Sequence, residues 1–548
     1  MKIKHILLFL MAWVSSMSLA YAQQTVVASG SVMDEKGELL IGVSISVKEV
    51  PSMGAITDID GRFKIGGIKA GHTLVISYVG YDPQEIKMNK SNERMRVVLK
   101  ESSNVMDEVV ITASGKVQKK INVTGAITGV EVATLKTPAT SISNMLGGRV
   151  PGIISVTRSG EPGKDFSEFW VRGISTFGAG QGALVLIDGV EGNLNTLDPE
   201  DIESFSILKD ASSTAVYGVR GANGVVLVST KKGKAGKLNL QVKANAGISY
   251  SPRMPKYVRA AEYAALANEA AVTRGRIPVY SDVDVDLFRN HMDPDLHPDV
   301  NWRDVILRDY TWNQQYFLSA SGGGEVARYY ISAGFTTKDA IFKQDKDVNR
   351  YNTNVNYNKF NFRANVDVNV TSTTTLSLNE ETVIVSQNYP GYGNDTKALW
   401  EAQTNLTPVT VPLMYTTGEA PGYGSGNSQI SPYVLLNMTG YQKLYSNNNK
   451  ITMQLNQDLK MVTPGLSISG LVNIDSYSAL TQMRQKMPAI YYAYGRNRDG
   501  TLNLEKMSES RDPSYGSYQD SSRKFYWEFR LNYDRVFDKL HRVGALIK

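Results

Sequence analysis

The sequence predicts a mostly β fold, in which a small β-sandwich and a mixed α/β module precede the first strands of a transmembrane antiparallel β-barrel. Changes along the chain support this prediction. Four of the 29 tyrosines lie before residue 236, and the other 25 follow it in a region also rich in Asn, Ser and Thr. The same region carries runs of alternating apolar and polar residues, joined by connections that are alternately short and long. Two architectures therefore share the chain.

The composition excludes several classes of function. The chain has 548 residues, a net charge of +6 and no cysteine. It therefore has no disulfide, no Cys-ligated metal centre, no thiol nucleophile and no N-terminal cysteine for lipid attachment. The small net charge without a long basic run argues against nucleic acid as a partner. The sequence has neither a phosphate-binding loop nor a Gly-x-Ser-x-Gly motif, so we expect no enzyme and no cofactor.

Histidine and aspartate meet in one long loop. His291 and His297 lie close to Asp293, Asp295 and Asp299, and such side chains could bind a cation. The histidines lack the spacing of a helical metal pair. The sequence therefore favours a solvated acidic loop over a metal site.

The N-terminus resembles a secretory signal peptide. Lys2 and Lys4 precede the apolar run 6–14, and Ala20-Tyr21-Ala22 supplies small residues for cleavage before Gln23. The apolar run is too short to span a bilayer. A buried N-terminal helix is the alternative, but the order of charge, apolar run and cleavage site favours export.

Residues 26–100 read as a small antiparallel β-sandwich. Short apolar runs alternate with reversals at 34–37 and 58–61, which is typical of strands joined by turns. The predicted strands are 26–32, 43–47, 62–65, 74–78 and 94–99.

The second reversal, Asp58-Ile59-Asp60-Gly61, could begin a calcium loop. The twelfth position of that loop is Lys69, where an EF-hand needs a bidentate Glu, so a turn is favoured. With "GELLIGVSISVK", "TDIDGRFKI" and "LVISYVGY", the run 30–81 resembles the carboxypeptidase-regulatory-like domain found at the front of outer-membrane receptors.

A β-branched segment follows the sandwich. Met106-Asp107-Glu108-Val109-Val110-Ile111-Thr112-Ala113 is flanked by small polar residues, which indicates an extended strand. Such a strand can add to the edge of a partner's sheet. An ordinary short strand explains the segment equally well.

Residues 115–235 carry the most specific resemblance. The sequence predicts a short helix at 141–146 and buried strands at 183–187 and 225–229. The motifs "GRVPGI", "FWVRGISTFG", "ALVLIDGV" and "LDPEDIESFSILKDASSTAVYGVRGANGVVLVSTKKGK" resemble the plug domain of SusC-like TonB-dependent outer-membrane transporters. The resemblance implies that the preceding segment is a TonB box. Its TonB-binding residues would be Asp107, Glu108, Val109, Val110, Ile111 and Thr112.

The plug sequence also suggests polar contacts. Arg172 and Arg220 each precede a glycine, which allows close approach of backbone. Asp188 is the partner that we predict for plug contacts, together with the acidic residues Glu200, Glu203 and Asp210. Plain surface salt bridges of little energetic weight are the alternative.

The region after residue 236 alternates with period two. Apolar residues at even positions from 238 to 250 are separated by polar or small residues, so the strand has one apolar and one polar face. We predict strands at about 238–250, 313–321, 326–336, 358–370, 375–386, 449–460, 466–478, 523–535 and from 541 onward.

Connection lengths distinguish a barrel from a soluble sandwich. The connections at 322–325 and 371–374 are short, whereas those at 251–312 and 387–448 are long. Short turns at one end and long loops at the other are typical of outer-membrane barrels. A plugged transporter barrel has about 22 strands, so nine strands ending inside an apparent strand look like a truncated copy. We expect that such a fragment does not close or transport by itself.

These observations predict five segments: a signal peptide (1–22), the sandwich (23–100), a TonB-box linker (101–114), a plug (115–235) and the N-terminal part of an outer-membrane barrel (236–548). The resemblance implies TonB-dependent import of oligosaccharides, or of peptides, across the outer membrane of a Gram-negative bacterium. TonB, a SusD-like surface lipoprotein and outer-membrane lipid would be partners, and the sandwich would lie in the periplasm. Two other functions are alternatives. A surface adhesin is disfavoured because it would need neither a plug nor a TonB box. A receptor that mainly signals is disfavoured because its N-terminal extension would be mixed α/β, whereas this one reads as all-β.

Overall fold

The computed structural model describes residues 25–34, 37–78, 81–100, 109–111, 117–119, 127–130, 132, 141–173, 182–251, 253–392, 396–426, 429–537 and 541–548. The predicted signal peptide lies outside these residues. The chain divides into two compact units, Met1–Glu108 and Val109–Lys548.

The first unit is a sandwich of two sheets. Their strand orders are β4-β1-β7 and β3-β2-β5-β6. All five predicted strands are present, and two further strands were not predicted, β3 and β6. The strands are β1 (Thr25–Asp34), β2 (Ser44–Val47), β3 (Val50–Ile56), β4 (Arg62–Lys69), β5 (Thr73–Ser77), β6 (Gln84–Lys87) and β7 (Asn92–Leu99).

One pairing corrects the prediction of an antiparallel sandwich. Strands β1 and β7 are parallel, with Gly30 opposite Met95 and Asp34 opposite Leu99. Between β1 and β7 the chain crosses from one sheet to the other several times, and it enters β7 at the end where β1 begins, so the two strands run in the same direction. The core between the sheets is aliphatic because alternate residues of each strand face inward. Its buried members include Val32, Val43, Ile45, Ile68, Leu74 and Ile76.

The reversal at 58–61 is a turn. The Oδ1 atom of Asp58 accepts the amide protons of Asp60 and Arg62, at 3.0 and 2.8 Å. Gly61 has a φ of +63°, which a glycine adopts without strain. The Asp58 carboxylate thus stabilises the local backbone, as expected for a turn.

The second unit begins with a short hairpin and the plug. The plug sheet has the order β10-β15-β16-β13-β14. Its elements are β8 (Val109–Ile111), β9 (Val117–Lys119), β10 (Ile127–Val130), α1 (Ile142–Leu146), β11 (Ile153–Thr157), β12 (Ser167–Val171), β13 (Leu184–Ile187), β14 (Val190–Glu191), a 3-10 turn (Pro199–Asp201), β15 (Ile202–Leu208), α2 (Ala211–Thr214), a second 3-10 turn (Ala215–Gly221) and β16 (Val225–Thr230).

The plug has a compact apolar core. Helix α1 contributes Met145 and Leu146, which pack in one cluster with Phe205, Val226 and Val228 of the sheet. Strand β16 is buried along nearly its whole length, as expected for a central strand that is covered on both faces. The predicted helix and the two predicted strands are confirmed to within one residue.

The remaining elements form the wall and its loops. In chain order they are β17 (Gly236–Tyr250), α3 (Ala260–Val272), α4 (Asp282–Asn290), α5 (Trp302–Ile306), β18 (Tyr310–Gly323), β19 (Ala327–Asp339), β20 (Asn356–Asn369), β21 (Thr374–Pro390), α6 (Lys397–Asn405), β22 (Ala420–Pro421), α7 (Pro432–Asn437), β23 (Gly440–Asp458), β24 (Leu466–Met487), β25 (Ile490–Arg496), β26 (Leu502–Ser508), β27 (Arg511–Phe537) and β28 (His541–Ile547).

We call the nine-stranded sheet β17-β18-β19-β20-β21-β23-β24-β27-β28 the wall. Each strand pairs antiparallel with the next, as predicted. Connections 324–326, 370–373 and 459–465 are short, and we call that edge the short-turn end. Connections 251–309, 391–439 and 488–510 are long, and they define the long-loop end.

The wall has its polar face on the inside. On β20, Phe360 is 40% exposed, whereas Asn361, Arg363 and Asn365 are each at most 7% exposed. On β17, Val242 is 71% exposed, whereas the next residue, Lys243, contacts the plug. This arrangement is the reverse of a soluble sandwich, and it fits a barrel whose apolar face meets lipid.

The long loops pack against each other. Arg496 of β25 donates to Asp293 at 2.7 Å and to Asp295 at 3.3 Å, and this contact holds the pKa of Asp293 below its usual range. The Nε2 atom of His297 lies 3.1 Å from Asp284. In the part of the chain that the structure describes, no group of His, Asp and Glu is arranged to hold a metal ion. The same part contains no helix long and apolar enough to cross a membrane.

Candidate functional site between plug and wall

An acidic turn of the plug, Asp198–Asp201, is buried against the wall. Asp198 caps the turn by accepting the amide proton of Glu200 at 2.9 Å. Pro199 fixes the backbone at the first position of the turn. Three carboxylates are thereby placed within four residues, and each of them is at most 5% exposed.

Strands β17 and β19 of the wall supply partners of this turn. Lys243 of β17 donates to Glu200 at 2.7 Å. On β19, the Tyr330 hydroxyl and the Ser332 hydroxyl donate to Asp201 at 2.9 and 2.6 Å. The acidic turn therefore receives charged and neutral hydrogen bonds from the polar face of the wall.

Burial changes the ionisation of the acidic turn. It raises the pKa of Asp201 to about 6, against the opposing attraction of Arg363. Burial also raises the pKa of Asp198. A carboxylate removed from water favours its neutral form, so these groups titrate closer to neutrality than exposed aspartates do.

Arg363 of β20 is the central cation of the interface. Its Nη2 atom lies 2.6 Å from Glu381 of the neighbouring strand β21, and its Nε atom lies 3.8 Å from Asp201. Its Nη1 atom lies 3.9 Å from Asp188 of the plug. The guanidinium, only 5% exposed, thus links the wall to two carboxylates of the plug.

Further wall side chains bind the plug backbone. Lys359 donates to the carbonyl oxygen of Asn195 at 3.1 Å, and Asn361 donates to that of Thr196. Asn365 donates to the carbonyl oxygen of Lys231 at 2.7 Å. The plug is therefore held in this region by hydrogen bonds and ion pairs.

The predicted plug contacts have different roles. Asp188 is close to the wall through Arg363, and it also accepts hydrogen bonds from the backbone and side chain of Thr230 at 2.9 and 2.7 Å. Arg172 pairs with the predicted partner Asp210 at 2.8 Å. Arg220 pairs with Glu191, which was not among the predicted partners. Both arginine pairs lie within the plug.

Of the predicted TonB box, only Val109–Ile111 lies within the described residues. Asp107, Glu108 and Thr112 lie outside them. Strand β8 pairs antiparallel with β9, with Val110 opposite Gln118. One edge of the strand is therefore already hydrogen-bonded, whereas the sequence indicated an available strand.

A cavity of about 760 Å³ opens at the long-loop end. The plug loop 158–165 forms one side, and wall residues and the loops form the other. Its lining includes the aromatic residues Tyr250, Phe342 and Trp400 together with hydroxyl and amide side chains. We call this space the outer cavity.

Comparisons with known proteins agree with this architecture. Residues 28–111 match the CarboxypepD_reg-like domain family, and residues 119–225 match the TonB-dependent receptor plug domain family. The "TonB-dependent receptor SusC" of Bacteroides thetaiotaomicron is 34% identical over 352 residues, which cover 62% of this chain and 32% of that protein. The chain carries the domains of a SusC-like TonB-dependent receptor.

Other relatives are similar in sequence or in fold. "TonB-dependent receptor P26" of Formosa agariphila is 36% identical over 58% of this chain and 31% of that receptor. The matches span about a third of the length of these curated relatives. The RagAB peptide importer in its 'open-open' state shares the fold at 22% identity, with a TM-score of 0.59 over 80% of this chain and 48% of that chain.

The sequence did not predict the most deeply buried contacts of this SusC-like chain. The acidic turn lies inside the motif "LDPEDIESFSILKD", and Arg363 and Glu381 lie at polar positions of alternating strands. Charged residues inside strands with an apolar outer face were a usable signal, because such residues must face the lumen. The pairing of Arg363 with both Asp201 and Glu381 depends on the three-dimensional placement of the plug against the wall.

Proposed function

We propose that this chain forms the plug-bearing part of a TonB-dependent importer in the outer membrane of a Gram-negative bacterium. One observation carries the proposal. The wall exposes its apolar face and binds the plug with its polar face, as the inner lining of a plugged barrel does. The all-β sandwich, in its described residues, also differs from the mixed α/β extension expected of a signalling receptor.

Polar contacts between the plug and the wall suit a plug that must move. Groups such as Asp201, Arg363 and Lys243 can exchange their contacts across the interface for hydrogen bonds to water. An apolar interface of the same area would resist displacement, because exposing each Å² of apolar surface to water costs about 25 cal/mol. We infer that force on the plug breaks these contacts and opens a path along the wall.

The TonB box of this proposal is Asp107–Thr112. An extended segment can add to an exposed sheet edge of TonB through main-chain hydrogen bonds. Because β8 is paired with β9, TonB would use the other edge of the strand or open the hairpin. The proposed orientation places the sandwich and the short-turn end in the periplasm.

The outer cavity is the proposed entry site for the nutrient. A SusD-like lipoprotein would cover the long-loop end. We propose an oligosaccharide as the substrate, with a peptide as the alternative. Hydroxyl and amide side chains can bind sugar hydroxyls, and the exposed ring of Tyr250 offers a stacking surface.

The test is the substitution Val110→Pro in the receptor in its native host. Proline removes a backbone donor and fixes φ, so pairing with TonB should fail. We expect uptake and TonB crosslinking to fall, while nutrient binding at the cell surface persists. Ser103→Pro, outside the TonB box, is the matched control and should leave uptake unchanged. Unchanged uptake and crosslinking in Val110→Pro would remove the coupling role of this segment.

A further inference from the structure

A basic slot lies at the short-turn end, where the plug joins the wall. Its volume is about 450 Å³. Strand β15 and the linker 231–235 form one side, and polar residues of β17 and β18 form the other. We call it the linker slot. Its lining includes Lys231, Lys232, Lys234, Lys237, Glu203, Asn239, Gln241, Ser319 and Ser321.

The linker backbone is firmly attached to both of its neighbours. The amide of Lys231 donates to the carbonyl oxygen of Asp201 at 2.8 Å, and its own carbonyl oxygen accepts from Asn365 at 2.7 Å. Gly233 packs so closely on the backbone of Tyr329 that a Cβ atom would overlap it. The lysines therefore project from a fixed segment of backbone.

Two of these lysines have ammonium groups with spare hydrogen-bonding capacity. The Nζ atom of Lys234 lies 3.7 Å from Glu203, and that of Lys232 lies 4.0 Å from Asp367. These distances are longer than a hydrogen bond. By contrast, Lys243 and Lys338 lie 2.7 and 2.6 Å from their carboxylate partners in the plug. Lys232 and Lys234 are therefore held less tightly by their carboxylate neighbours than the deeper lysines are.

The lining carries four lysines and one glutamate. Lysine ammonium groups and serine hydroxyls can donate hydrogen bonds to phosphate oxygens. A phosphoryl group is a better match than a carboxylate, because it has more acceptor oxygens and a greater negative charge. The volume exceeds that of one phosphate, so the slot has room for the rest of a small molecule or for a lipid headgroup.

We propose that the linker slot is a binding site for a phosphate-bearing anion, held by Lys232, Lys234 and Lys237. This inference does not depend on the proposed import function. The anion could be a free phosphorylated solute or the headgroup of an anionic phospholipid. Bound there, it would link the plug–wall linker to strands β17 and β18.

The test is calorimetric titration of inorganic pyrophosphate into the full chain in detergent. We expect saturable binding, weakened at least tenfold in the double variant K232Q/K234Q and weakened by 0.5 M salt. The matched control, K397Q/K460Q, removes two exposed lysines elsewhere and should bind as the unmodified chain does. Circular dichroism of both variants verifies that they fold.

Bilayer discs distinguish the two sources. If phospholipid headgroups occupy the slot, discs containing phosphatidylglycerol should lower the apparent affinity for pyrophosphate, and discs of phosphatidylcholine should not. Equal affinity in both kinds of disc assigns the slot to a soluble phosphorylated ligand. Absence of saturable binding to the unmodified chain, or an equal loss in both double variants, would overturn the proposal.

Discussion

The substitution Arg363→Met tests how the plug is held. It removes the cation from a site where Glu381 lies 2.6 Å away and where Asp201 and Asp188 lie within 4 Å. Methionine retains much of the apolar volume but leaves these carboxylates without their shared partner. Breaking a buried ion pair from one side costs about 3–5 kcal/mol. Since 1.4 kcal/mol is tenfold in an equilibrium constant, plug opening should rise by roughly two to four orders of magnitude.

Native-state hydrogen exchange of the full chain in detergent measures this opening. The amides of β15 and β16 should lose protection in Arg363→Met. The control is Arg158→Met, which breaks an exposed ion pair with Glu168 and should cost less than about 1 kcal/mol. The double variant R363M/E381M also removes the Glu381 carboxylate, which Arg363→Met leaves without its cation, and it should recover part of the lost protection. Equal protection in Arg363→Met and Arg158→Met would refute the assignment of Arg363 as the central contact.

Two further predictions concern the same interface. The pKa of Asp201, about 6 in the folded chain, lies above its ordinary value, so the folded state binds this proton more tightly than the unfolded state. Stability to urea should therefore fall by about 3 kcal/mol in total as pH rises from below about 4 to above about 6. Asp201→Asn should flatten that slope, and an unchanged slope would contradict the titration of this group. Gly163→Ala should displace the plug loop 158–165 from the wall, because Gly163 has a φ of +84° and a Cβ atom there would overlap Gln387. Gly160→Ala, which meets no atom within 4 Å, is the control, and equal protease resistance of the loop in both variants would count against this contact.

Local pattern was sufficient to predict the elements of the wall. Alternation such as that of Phe360 and Asn361 depends only on the period of a strand, and it located all nine wall strands. The boundaries were less predictable. Gly322 and Gly323 were expected in a turn, but they continue β18 by pairing with β19. Gly323 has a φ of +146°, a conformation that suits glycine at the end of a strand.

Side-chain partners were harder to predict than elements. Arg172 and Asp210 are 38 positions apart within the plug, and their proximity was anticipated. Asp201 and Ser332 are 131 positions apart, and their contact depends on how the plug is placed against the wall. The parallel pairing of β1 and β7 likewise depends on a chain crossing that no local pattern encodes. Long-range placement therefore limited the prediction of the site.

The most direct test of the central claim uses the absence of cysteine. Single cysteines placed one at a time from Leu240 to Ala244, in the chain reconstituted in a bilayer, can each carry a nitroxide label. Collision with lipid-soluble oxygen should be high at Leu240, Val242 and Ala244 and low at Gln241 and Lys243. Collision with a water-soluble relaxant should not be more frequent at Leu240, Val242 and Ala244 than at Gln241 and Lys243. Uniform exposure of all five positions to water would contradict a membrane-facing wall around a polar plug.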